Sequence, residues 1–175
     1  MSKFIRIPSL AAAGLAFLAA WSPQAYAGHS NIVLEAELRG SEEVATNATN
    51  SGMVGDPNGR AEAYVFGIDG DPNTLCYLLV GVKKIDELKQ APGNGRAAHI
   101  HRGARGINGL IVANLAWPQN GQAGDCLSDG EPGKFANGGS VQEILNNPTG
   151  FYVNIHNSVY PSGAIRGQLA YTADE

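Results

Sequence analysis

The chain predicts an all-β fold: an antiparallel Greek-key sandwich or barrel of about seven strands with one short helix. Three observations lead there. Short runs alternate apolar and polar residues at the period of a half-buried strand. Clusters of Gly, Pro, Asn and Asp separate those runs, within a chain that holds 23 glycines. No helical patterns intervene between the strands, as a parallel α/β sheet would need. No repeat of 20 to 50 residues and no low-complexity linker divides the chain, so a single domain is expected.

The elements follow in order. "NIVLEAELRG" sets Ile32, Leu34, Ala36 and Leu38 against Val33, Glu35, Glu37 and Arg39, a strand with one wet face. "SGMVGDPNGR" is a loop that leads into the strand "RAEAYVFGI". Asp69 to Asn73, "DGDPN", lacks the remaining ligands of a calcium loop and reads as a hairpin turn before "TLCYLLVGV". "KKIDELKQAPGNGR" is a connection with room for one helical turn. "AAHIHRG" and "LIVANLAW" are strands joined by "ARGING", and Pro118 to Gly139 reads as a long irregular region carrying Cys126. Ser140 with Glu143 three residues on has the form of a capping box, which makes "VQEILNN" a short helix. "FYVNIHN" and "GAIRGQLAY" are the last strands, joined by "SVYPSG".

Residues 1–27 are expected to be a secretory signal peptide. Lys3 and Arg6 precede an apolar run from Leu10 to Trp21, and Ala25-Tyr26-Ala27 has the small-x-small form of a cleavage site. That run is about 12 residues, short of the roughly 20 needed to cross a bilayer. Cleavage leaves residues 28–175 as one exported domain, in the periplasm or outside the cell, with no membrane span. Without Lys3 and Arg6, ten basic residues face sixteen acidic ones, a net charge of about −6. Such a chain has no affinity for nucleic acid, and no basic cluster provides a local exception.

Two cysteines, Cys76 and Cys126, with no C-x-x-C spacing, predict one disulfide in an oxidising compartment.

Four histidines remain, and three fall in two strands. In "AAHIHRG" the apolar set is Ala98 and Ile100, so His99 and His101 share the opposite face. In "FYVNIHN" the apolar set is Phe151, Val153 and Ile155, which puts Tyr152, Asn154 and His156 on the other side. In "GAIRGQLAY" the inward set Ile165, Gly167 and Leu169 leaves Arg166 and Gln168 outside. The strand phases therefore place all three histidines on the outer, polar side. Imidazoles at i and i+2 have Cα atoms about 6.5 to 7 Å apart, close enough to converge on one ion. His99, His101 and His156 are thus candidate metal ligands, for copper ahead of zinc, with Asn154 and Arg166 beside them. The competing reading makes His99 and His101 surface residues that bond to loop carbonyls. His29, next to the expected new terminus, reads as part of a solvated end.

These residues carry a family resemblance. "AAHIHRGARGINGLIV" and "GFYVNIHNSVYPSGAIRGQL" resemble the paired motifs of the chordin-type (CHRD) domain, a family that includes many exported microbial proteins. Ala98 to Gly103, Gly106, Asn108 and Gly109 match the first motif. Tyr152 to Asn154, His156, Pro161, Gly163 and Ile165 to Leu169 match the second. Leu38-Arg39-Gly40-Ser41-Glu42-Glu43-Val44 matches an earlier one. Asn157, Leu110 and the proline-free "EVATN" depart from the pattern without touching the histidines. The resemblance implies an extracellular all-β module with no settled enzymatic activity. The H-x-H strand is also similar, in geometry alone, to the copper strand of Cu/Zn superoxide dismutases. A dismutase of that kind needs a zinc site and a bridging histidine, and only His29 is left to supply a fourth imidazole. No G-x-S-x-G or H-E-x-x-H marks a hydrolase. Two functions remain: an exported metal-binding protein, or an extracellular interaction or structural module that needs no metal and binds an unidentified protein partner.

Overall fold

The computed structural model describes residues 32–45, 54–83, 85 and 97–172. The expected signal peptide, His29 and nearly all of the connection from Lys84 to Arg96 lie outside the described residues. Among those described there are nine strands: β1 (Val33–Arg39), β2 (Arg60–Ile68), β3 (Asp71–Lys83), β4 (Ala98–Arg102), β5 (Ile111–Leu115), β6 (Ala123–Ser128), β7 (Phe151–Ile155), β8 (Ile165–Gln168) and β9 (Ala170–Tyr171). One short helix, α1 (Val141–Asn146), precedes β7. No helix among them is long and apolar enough to cross a membrane.

All pairings are antiparallel, in the order β5-β4-β7-β8-β1-β2-β3-β6, with β9 beside β1. The sheet curls until its two ends nearly meet. Beyond β6, Phe135 bridges Ala113 of β5, with Asn114 N donating to Lys134 O at 2.8 Å and Ala136 N to Val112 O at 3.0 Å. These bonds occupy the edge of β5 that the sheet itself leaves unpaired. The result is a barrel-like sheet around one apolar core.

Local chemistry accounts for the elements. On β1, Leu34, Ala36 and Leu38 turn inward while Glu35 and Glu37 stay in water. Asp69-Gly70 forms the two-residue turn between β2 and β3, and Gly70 adopts the positive φ of 76° that such turns demand. The core joins Leu34, Leu38, Val65, Leu75 and Leu79 to Ile100, Val153, Ile155, Ile165 and Leu169. The core phase read from the sequence is therefore correct on β4, β7 and β8.

Three expectations change. The strand count rises from about seven to nine, in part because "GAIRGQLAY" divides into β8 and β9. The region expected to be irregular contains β6, which pairs with β3 over six residues. Its glycines and charges hid a strand that alternation could not reveal, since Ala123 to Cys126 bury little. Cys126 is consequently in a strand, directly across from Cys76, and the two form the disulfide. Helix α1 is capped as expected, Ser140 Oγ accepting from Glu143 N at 3.4 Å. The Glu143 carboxylate does not return to close the capping box. It takes Arg102 Nε at 2.8 Å and Nη2 at 2.7 Å, tying α1 to the end of β4.

Candidate metal centre

Strand β4 lies between β5 and β7, and β7 between β4 and β8. Across these ladders His99 faces Asn154, which faces Arg166, while His101 faces Tyr152, which faces Gln168. His156 follows the last residue of β7, its N–H bonded to Ala97 O at 2.7 Å. That bond prolongs the ladder and holds the third imidazole beside the other two. The ring centroids of His99 lie 5.6 Å from His101 and 5.1 Å from His156. One ligand atom from each histidine can be chosen so that all three lie within 4.8 Å of one another.

The face differs from its expected character in one respect. It is opposite the apolar core, as the alternation requires, yet it is not exposed. His99, His101 and His156 are 2%, 8% and 7% exposed. The cover comes from loops. Arg166 Nη2 donates to Ala104 O at 3.1 Å and Ile107 O at 2.8 Å, and Nη1 to Asn108 Oδ1 at 3.3 Å. Asn108 Nδ2 in turn reaches Val44 O and Ala45 O, and Arg105 pairs with Glu42. The segment after β1 and the turn between β4 and β5 are thereby joined over the histidine face. Beneath them is a stack. The Arg166 guanidinium sits 3.4 Å from the centroid of the Tyr152 ring, and that ring lies parallel to His101 at 4.9 Å.

Hydrogen bonds set the state of two rings. His101 Nδ1 lies 3.0 Å from Gly109 O, and His156 Nδ1 lies 3.1 Å from Pro161 O. A carbonyl only accepts, so each Nδ1 carries the proton and each Nε2 presents a lone pair. His101 Nε2 and His156 Nε2 are buried with no hydrogen-bond partner among the described residues. Burial pushes the pKa of His101 down to about 4, the bond to Gly109 opposing it. Burial lowers that of His156 as well, against its bond to Pro161. Both rings are therefore neutral at physiological pH, the form in which imidazole binds a metal.

The donor set fits a nitrogen-loving ion such as copper or zinc. A tetrahedral centre with bonds of about 2.0 to 2.1 Å has nitrogens about 3.4 Å apart, so ligand atoms that lie up to 4.8 Å apart would have to draw in by as much as about 1.4 Å. The carbonyls behind His101 and His156 hold those rings in the tautomer that a metal bound at Nε2 would need. Of the residues expected beside the ligands, Asn154 lies between His99 and Arg166, and Arg166 reaches the site through Tyr152.

Sequence reasoning passed over Glu43. Its carboxylate packs under the cover, Oε2 accepting from Asn154 Nδ2 at 3.4 Å, while Oε1 is buried without a hydrogen-bond partner among the described residues. Burial raises its pKa to about 8, against the pull of Arg166 and the bond from Asn154. Its presence in the motif Leu38 to Val44 was the available signal. In a segment rich in charge, that position reads as solvated.

No curated protein and no solved structure matches the chain. A family model does match, that of the CHRD domain, over residues 34–169. That span runs from the first core residue of β1 to the residue after β8, and includes all three histidines and their cover. The chain belongs to the CHRD domain family.

Proposed function

We propose that this protein is an exported metal-binding protein that holds copper through His99, His101 and His156, with zinc as the weaker alternative. One observation carries the reading. Two imidazole Nε2 lone pairs are buried without partners among the described residues beside a third histidine, while their Nδ1 protons are engaged by Gly109 and Pro161. Unpaired polar atoms at this depth cost stability, on the order of 1 to 3 kcal/mol each, unless a ligand offsets them. Neutral imidazoles place copper above zinc in the general order of divalent affinities. The Cys76–Cys126 disulfide supports export, because such a bond persists in an oxidising compartment. The reading is of a binding protein, with no catalytic step assigned.

Calorimetry with Cu(II) on the exported protein tests it. His101→Ala leaves only two imidazoles, and affinity should fall by more than about 100-fold, beyond what loss of a supporting residue costs. His29→Ala should leave affinity unchanged. Equal affinity in wild type and His101→Ala would return the histidines to a structural role and favour the metal-free interaction module.

A further inference from the structure

Three neutral imidazoles supply no charge, so the charge of a bound ion has to be balanced by another group. The layer that holds them already contains a cation. Arg166 is buried, and its guanidinium bonds to two carbonyls and an amide oxygen, none of them anionic. A divalent ion beside it would concentrate positive charge in a site shielded from water. Glu42, on the cover, is already paired with Arg105 at the rim.

Glu43 is placed differently. It is bonded to Asn154, the direct cross-strand neighbour of His99. Gly163, at a positive φ of 144°, passes so close that a Cβ there would lie 2.4 Å from Oε2 and would push the carboxylate from its place. Gly163 is two residues beyond Pro161, whose carbonyl holds His156. The carboxylate is thus wedged between the supports of two of the three ligands, with Oε1 left without a partner among the described residues.

Resting on the metal-binding reading, we infer that Glu43 is the charge-balancing residue of the histidine centre and makes it a site for a divalent rather than a monovalent ion. It stands outside the ligand set and acts through the field it exerts there. Burial holds its pKa at about 8 even against the pull of Arg166, so the carboxyl is largely protonated in the metal-free protein and a bound cation would draw the proton off.

Zn(II) and Cu(I) separate charge from geometry, because both are closed-shell d¹⁰ ions that differ in valence. Their affinities are to be measured by competition with colorimetric chelators, Cu(I) being kept reduced anaerobically with ascorbate. Glu43→Gln is nearly isosteric and keeps an acceptor for Asn154. It should lower Zn(II) affinity by about tenfold and Cu(I) affinity by only about threefold, because the same field acts on twice the charge. Glu43→Asp, which retains the charge, should restore the wild-type ratio. Should Glu43→Gln not fold, Glu43→Leu is a second neutral variant that should show the same shift in ratio. A ratio unchanged from wild type in the neutral variants would overturn the inference, including the case where both affinities fall together through lost packing. A wild-type protein that binds neither ion would remove the metal reading itself, and this inference with it.

Discussion

Strands β1 and β7 obey the same alternation, and their second faces have opposite fates. On β1, buried and exposed residues alternate, and Glu35 and Glu37 stand in water. On β7 all five residues are buried. The outer face of β1 and β2 carries Glu35, Glu37, Glu62 and Tyr64, with Glu37 directly across from Glu62. Like charges opposed in this way resist desolvation and keep the surface open. The outer face of β4 and β7 carries His99, His101, Tyr152 and Asn154, all able to be neutral, all able to hydrogen-bond or stack. That composition tolerates a roof, and Arg166 supplies the post that holds it. One sheet therefore has an ordinary surface on one half and a second, polar interior on the other.

The widest gap between the halves should come from Arg166→Met. It frees the carbonyls of Ala104 and Ile107 and removes the cation over Tyr152, at a cost of about 3 kcal/mol in urea unfolding. Amide exchange in residues 104–109 should accelerate while that of β1 and β2 does not. Unchanged exchange in that segment would show that the roof stands without its post.

Acid comes next, and within the covered half two kinds of group respond with opposite signs. In the folded protein His101 titrates at about 4, against 6.5 for the free ring. The unfolded chain takes the proton first, so this ring's contribution is complete above pH 6.5 and is lost as pH falls to 4, roughly 3 kcal/mol at most. His156, also lowered, works in the same sense. Glu43 is raised from 4.5 to about 8, so its contribution is complete below 4.5 and is lost as pH rises through 8. Between 4.5 and 6.5 the two offset each other in the metal-free protein. Glu43→Gln removes one side of that balance, and should lose more stability than wild type between pH 7 and pH 4.5. Parallel urea midpoints for the two proteins over that range would refute the coupling.

The smallest effect belongs to the open half. Glu62→Gln relieves the repulsion with Glu37, and should raise stability by no more than about 0.5 kcal/mol. A loss greater than that would mean that the β1–β2 face is organised more like its counterpart than its exposure suggests.

Much of this was legible beforehand because strand alternation is a local property. Leu34, Ala36 and Leu38 identify the core side of β1 without reference to anything else, and Ile100, Val153 and Ile165 do the same for β4, β7 and β8. The pairing of Cys76 with Cys126 followed from there being only two cysteines. Strand β6 was not legible, since Ala123, Gly124, Asp125 and Cys126 carry no apolar stripe and owe their conformation to the edge of β3.

The sequence by itself determined that three histidines share one face, for the side-chain period of a strand is two and a slip of one residue would expose every apolar neighbour. Only the tertiary structure decided that this face is an interior. Its cover is assembled from Arg166, Asn108, Glu43 and the carbonyls of Gly109 and Pro161, groups far apart along the chain. A polar side chain carries the same letters whether it meets water or a loop. The closing of the barrel-like sheet and the docking of its turns chose between them, and in doing so left two imidazole lone pairs facing inward.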